Sequence, residues 1–151
     1  MIWLLRHAHA VDGSPDAERP LSEKGEAQAR DAGAALAAMS VSLGACVASP
    51  KVRAADTARL ACERLGGVEV QLDDRLGGGP FDPEEVAGDY GEEVLLVGHD
   101  PDFSAAVHSA TGAQVRLKKC GLAAISKGEL IVLLRPAELS VIAGRAPAAS
   151  E

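Results

Sequence analysis

Short runs that are apolar throughout alternate along this chain with longer stretches in which apolar residues recur at helical spacing. Residues 2–5, 45–48 and 94–97 are such runs. Each ends abruptly at a polar, glycine or proline residue: Arg6, Ser49-Pro50 and Gly98. A short apolar run with polar bounds reads as a strand buried on both faces, as in a parallel sheet. Ser22 suits a helix N-cap, and residues 23–39 after it are good helix formers. Ala32, Leu36 and Met39 fall there on one stripe. A second helix is expected over 52–65, stopped by Gly66-Gly67, and residues 68–72 alternate like a third strand. Residues 10–20 form a polar loop with turn chemistry at Asp12-Gly13-Ser14-Pro15. Residues 73–90 are irregular and acidic, with Gly77-Gly78-Gly79-Pro80 and a short helix from Pro83. Pro101, in the first helical turn behind an Asp100 cap, opens a helix to Ala110. Residues 122–125 and 130–134, joined by Ser126-Lys127-Gly128, read as a strand pair. Strands alternating with helices predict an α/β fold, a three-layer α/β/α sandwich. Its central sheet is mostly parallel, with at least one antiparallel strand. No repeat or linker divides the chain. Residues 1–145 read as one domain and the small, polar 146–151 as a flexible tail.

Composition sharpens this picture. The chain has 151 residues, 47% hydrophobic but only 3% aromatic, so the core must be built from Ala, Val, Leu and Ile. The formal net charge of −7 argues against nucleic acid or an anionic membrane as partner. It does not oppose a phosphorylated substrate, because a local pair of arginines overrides a diffuse negative field. Cys46, Cys62 and Cys120 are odd in number and lack CxxC spacing. They read as free thiols in a reducing compartment. The apolar start is too short for a signal peptide, and no stretch approaches the roughly 18–20 residues of a membrane span. A cytoplasmic monomer is the expectation.

The candidate chemistry sits where the apolar runs end. Arg6 and His7 follow the first, Ser49-Pro50-Lys51-Val52 leads from the second to Arg53, and His99 follows the strand over 94–97. In open α/β sheets ligands bind beyond the carboxyl ends of the strands. If these three strands are neighbours, Arg6, His7, Arg53 and His99 converge on one crevice. Two guanidiniums suit a tetrahedral oxyanion, and an imidazole attacks or protonates it. The helix opening near Val52 adds its positive end. No carboxylate cluster accompanies the histidines, so neither a metal nor another cofactor is expected.

These residues resemble the histidine phosphatase superfamily, whose fold is phosphoglycerate mutase-like. Leu5-Arg6-His7-Ala8 is similar to its Arg-His-Gly signature. Ser49-Pro50-x-x-Arg53-Ala54-x-x-Thr57-Ala58 matches its second motif closely, and Val97-Gly98-His99-Asp100-Pro101 resembles its third. Arg19-Pro20-Leu21-Ser22-x-x-Gly25-x-x-Gln28-Ala29 is also family-like. The compact length resembles the bacterial phosphohistidine phosphatases of the SixA type. The resemblance implies a metal-independent hydrolase with His7 as nucleophile, forming a phosphohistidine intermediate. Arg6, Arg53 and His99 would bind the phosphoryl group, and Arg19 would be a further phosphate contact.

The chain departs from the family pattern in three places. Ala8 replaces the usual glycine, so a left-handed backbone there would be strained. His9 replaces a common glutamate and is expected at the rim. The glutamate general acid of mutase-like members is missing from the stretch around Arg75–Gly79. An alkoxide leaving group needs a proton donor, whereas a phosphoramidate whose distal nitrogen is protonated leaves as neutral imidazole. The missing acid therefore favours phosphohistidine, or another good leaving group, over ordinary alkyl phosphates. Phosphohistidine on a protein is the reading adopted, a phosphotransfer or phosphocarrier protein being the expected partner. Asp100 is a candidate donor set against its reading as a helix cap. Asp82, Glu84 and Glu85 read as acidic surface loop. The alternatives are a broad small-molecule phosphomonoesterase and a non-catalytic phosphate-binding module.

Overall fold

The computed structural model describes residues 1–145; the expected tail over 146–151 lies outside the described residues. Six strands form one sheet: β1 (Ile2–Arg6), β2 (Ala45–Ala48), β3 (Val70–Leu72), β4 (Val94–Gly98), β5 (Leu122–Ser126) and β6 (Glu129–Leu134). Among the described residues five α-helices accompany them: α1 (Glu23–Ala38), α2 (Val52–Cys62), α3 (Pro83–Gly88), α4 (Asp102–Thr111) and α5 (Pro136–Ile142). The order across the sheet is β3-β2-β4-β1-β5-β6. β3, β2, β4 and β1 are parallel, and β5 runs antiparallel to both β1 and β6.

Alternation within the strands builds the three layers, because successive side chains point to opposite faces. Leu5, Leu95, Val97, Cys46 and Leu122 pack on one face with Ala29, Ala32 and Leu36 of α1, Ala54, Ala58 and Ala61 of α2 and Leu139 of α5. Leu4, Val47, Val94, Leu96 and Ala123 pack on the other with Val86 of α3 and Phe103 and Val107 of α4. The scarcity of aromatics shows in the helix contact: a Cβ on Gly33 of α1 would lie 2.0 Å from the Ala61 carbonyl oxygen of α2. Small residues let these two helices approach that closely.

Several boundaries differ from the sequence expectations. α2 ends at Cys62, three residues short of Leu65, and Gly66 and Gly67 then turn the chain with φ of 74° and 76°. β3 is confined to Val70–Leu72, because only these residues pair with Cys46, Val47 and Ala48. α4 starts at Asp102 with Pro101 at its cap, so Asp100 stands one residue outside the expected place. Its carboxylate nevertheless accepts the Ser104 backbone N–H at 2.9 Å. β5 and β6 are joined by Lys127 and Gly128, with φ of 51° and 76°, the geometry of a two-residue hairpin. α5 was not expected. Its signals are present in Pro136 at the first turn and Glu138, whose side chain accepts the Arg135 backbone N–H.

Candidate active site

β4 lies between β1 and β2, so the three strand ends that carry the candidate residues are adjacent. The register puts Arg6 beside Gly98, and the His7 N–H donates to the Gly98 carbonyl at 2.8 Å. The Ser49 N–H donates to the Val97 carbonyl at 2.9 Å. His7 and His99 are thereby brought together from adjacent strands, with ring centroids 5.2 Å apart and planes tilted by 54°. His7, Arg53 and His99 are 8%, 7% and 7% exposed, which is unusual burial for polar side chains.

Each ring has one defined partner. His7 Nδ1 is 2.8 Å from the Ala8 carbonyl. A carbonyl only accepts, so Nδ1 carries the hydrogen and a neutral His7 keeps its lone pair on Nε2. His99 Nε2 is 2.8 Å from the Ser49 hydroxyl, while His99 Nδ1 is buried without a partner. The guanidiniums are tied from outside. Arg6 Nη1 donates to the Leu117 carbonyl at 2.9 Å. Arg53 Nη1 and Nη2 donate to the backbone carbonyl and the carboxylate of Asp16 at 2.9 and 3.1 Å. Arg6 Nε and Arg53 Nε are both buried and unpartnered. Two orphaned guanidinium N–H groups and one orphaned imidazole nitrogen therefore accompany the facing rings, a set that a native interior does not leave unused.

Burial is the main reason that both histidines stay neutral. It pushes His7 down to about 4 from an ordinary 6.5. The Ala8 hydrogen bond opposes this, and the charges of Arg53, Arg6 and Lys119 reinforce it. His99 is pushed down to about 3 by burial, then by His7, Arg53 and Lys51, with Asp16 opposing. The Arg53 charge thus acts on both rings and the Arg6 charge on His7.

Ala8 is fully buried and is absent from the positive-φ residues, so the alanine that replaces glycine carries no left-handed strain. Its N–H donates to Thr57 Oγ1 at 3.0 Å, and that hydroxyl donates to the Arg53 carbonyl at 2.7 Å. One side chain thus couples the turn after His7 to the helix that carries Arg53. His9, expected at the rim, is half-buried. Its Nδ1 lies 2.6 Å from Ser22 Oγ at the start of α1.

Arg19 is joined to the site through Asp16. Its Nη1 donates to Asp16 Oδ1 at 3.1 Å while Nε holds the Val11 carbonyl at 2.9 Å. Asp16 also faces Lys51 Nζ at 3.8 Å. Hydrogen bonds first from Arg19 and then from Arg53 hold its carboxyl below the ordinary range. Local sequence does not mark Asp16 or Thr57 as site residues. Thr57 falls in the second motif, one helical turn after Arg53, whereas nothing local singles out Asp16.

Of the other carboxylates weighed as proton donors, Asp100 and Asp82 are engaged at helix starts and Glu84 and Glu85 are exposed. Asp100 accepts from the Ser104 hydroxyl as well as its N–H, at 2.7–2.9 Å. Asp82 caps α3 by accepting from the Glu84 N–H at 3.0 Å, and Glu84 and Glu85 lie exposed in its first turn. Among the described residues no group of three His, Cys, Asp or Glu is placed to hold a metal ion. No described helix is long and apolar enough to cross a membrane.

Comparison with known proteins agrees with this fold. An uncharacterized protein of Picosynechococcus sp. is 31% identical over 142 residues, spanning 84% of this chain and 85% of that protein. The structure of a protein histidine phosphatase SixA complexed with tungstate superposes with a TM-score of 0.79 at 19% identity, over 91% of this chain and 98% of that one. A candidate phosphohistidine phosphatase SixA from Agrobacterium tumefaciens superposes with a TM-score of 0.78 at 24% identity, over 89% and 97%. Residues 2–79, which hold the first two strand ends and both linking helices, match the family description directly. With its phosphoglycerate mutase-like sandwich and its paired histidines at the strand ends, the chain belongs to branch 1 of the histidine phosphatase superfamily.

Proposed function

We propose that this phosphatase hydrolyses phosphohistidine displayed on a protein, through a phosphoryl intermediate on His7. Supporting the nucleophile is its tautomer: Nδ1–H is held by the Ala8 carbonyl and Nε2 is bare, on a ring that burial keeps neutral. The unpartnered Nε of Arg6 and of Arg53 supply donors for the equatorial oxygens, where charge spreads as phosphorus passes between nitrogens. A SixA that shares this fold was solved with tungstate, itself a tetrahedral oxyanion. Arg19 acts one step out, steadying Arg53 through Asp16.

The observation that carries the substrate class is the engagement of the carboxylates. Asp100 is bound by Ser104, Asp82 caps α3, and Asp16 lies among Arg19, Arg53 and Lys51. None of these three is left free to protonate an alkoxide, and Glu84 and Glu85 lie exposed on α3. A phosphohistidine substrate brings its own proton on the distal ring nitrogen. In the first step His7 Nε2 forms a bond to phosphorus, the substrate P–N bond breaks, and its electron pair leaves on a neutral imidazole. Water then attacks the phosphorus of phospho-His7. The second P–N bond breaks, inorganic phosphate departs and His7 is restored.

The test is turnover of three substrates by the wild-type protein: a histidine-phosphorylated phosphocarrier protein, phosphoramidate and a sugar phosphate. The two P–N substrates should be cleaved and should label His7 with acid-labile phosphate, with the sugar phosphate far slower. His7→Ala should be inactive, and Arg53→Ala should lose roughly 10²–10³ in rate. Faster turnover of the sugar phosphate would instead make the chain a small-molecule phosphomonoesterase. A fully active His7→Ala protein would end the reading altogether.

A further inference from the structure

Ser49 is fully buried at the end of β2, and its hydroxyl has two neighbours. The Lys51 N–H donates to Oγ at 3.2 Å, and His99 Nε2 lies 2.8 Å away. A serine hydroxyl has one hydrogen and two lone pairs. Lys51 takes one lone pair, which leaves the hydrogen and the second lone pair for His99. If His99 Nε2–H donated to Oγ, the hydroxyl hydrogen would have no acceptor in a place closed to water. His99 Nδ1 would then be a bare acceptor, and it would repel the oxygens of an anion bound among Arg6, Arg53 and His7. If the hydroxyl donates to Nε2, every group is satisfied save one, a buried Nδ1–H that lacks an acceptor. Native interiors avoid the first arrangement.

We propose that Ser49 is the positioning residue for His99: its hydroxyl donates to His99 Nε2 and fixes the Nδ1–H tautomer, so that a neutral ring offers an N–H to a phosphoryl oxygen. This rests on the phosphoryl-transfer reading of the site. It also explains how two facing imidazoles do opposite work. Both carry hydrogen on Nδ1. The Ala8 carbonyl occupies that hydrogen in His7, turning the bare Nε2 to attack. Ser49 occupies Nε2 in His99, leaving Nδ1–H to bind. Because burial keeps His99 uncharged, protonation does not supply the donor, and the tautomer must.

The test is the ¹⁵N spectrum of histidine-labelled full-length protein near neutral pH, with and without inorganic phosphate, His99 being assigned by His99→Asn. Wild-type His99 should show a pyrrole-type Nδ1 and a pyridine-type Nε2. Ser49→Ala should move both toward the average of the two tautomers, and Ser49→Thr should restore them. On phosphoramidate, Ser49→Ala should lose about 10- to 100-fold in kcat, less than the loss for removing a whole donor. An Nε2–H tautomer in the wild type overturns the proposal with no variant needed. So does a Ser49→Ala protein that loses activity with its His99 tautomer unchanged, since the role is then merely structural. The spectrum is read whether or not any phosphorylated substrate turns over, so failure of the tautomer and failure of the proposed reaction are separate results.

Discussion

Replacing Thr57 by valine tests how the site is held together. The two side chains have nearly the same shape, and Thr57 is fully buried, so the change removes a hydroxyl without opening a cavity. Two hydrogen bonds go with it, from the Ala8 N–H at 3.0 Å and to the Arg53 carbonyl at 2.7 Å. The carbonyl lies within α2 and keeps a second lone pair for the helix. The Ala8 N–H faces a methyl group instead and lies out of reach of water. An orphaned buried donor costs about 1–3 kcal/mol. For a domain of this length each kcal/mol lowers Tm by roughly 2–4 °C, so the expected fall is about 2–12 °C. Thr57→Ser keeps the hydroxyl and loses only a methyl, at about 0.8 kcal/mol. Urea denaturation of the three proteins gives the stabilities, and turnover of phosphoramidate gives the second readout. Because Ala8 also holds His7 Nδ1, Thr57→Val should lower kcat beyond any fraction unfolded, while Thr57→Ser should not. A valine variant as stable as wild type, beside a less stable serine variant, would show that packing rather than the hydroxyl makes this link.

Four further outcomes follow from the structure. Both site histidines have folded values below the unfolded 6.5, so the unfolded chain binds protons first. Their contribution to stability is whole above about pH 6.5 and falls as pH drops toward 4 for His7 and 3 for His99. The loss is about 3 kcal/mol for His7, so the stability slope between pH 6.5 and 4.5 should flatten in His7→Gln. Log kcat/KM on phosphoramidate should stay flat down to about pH 5, and a break near 6.5 would refute the buried neutral ring. Gly33→Ala should cost at least about 2 kcal/mol in denaturation, because its Cβ meets the Ala61 carbonyl at 2.0 Å. Gly44→Ala, whose nearest atom is 3.6 Å away, should be close to neutral.

Local pattern carried much of this protein. The apolar runs ending at Arg6, Ser49 and Gly98 read as strands, because they are too short for helices and a two-sided sheet buries such runs. Punctuation by Ser22, Gly66-Gly67 and Lys127-Gly128 marks where elements start and stop. The spacing from Ser49 through Arg53 to Thr57 is one strand end and the first turns of a helix, so it too is legible in one dimension. What the chain alone left open was adjacency. Placing β4 between β1 and β2 is a choice of sheet order, made by packing on two faces at once, and it alone brings His99 against His7. The Asp16 clamp on Arg53, the Ser49 bond to His99 and the Thr57 bond to Ala8 join residues 37, 50 and 49 positions apart. No local periodicity encodes a hydrogen bond across such a separation. The tertiary structure therefore decided which nitrogens are bare, which are occupied and which rings stay neutral, because burial and hydrogen-bond partners exist only once distant segments have packed.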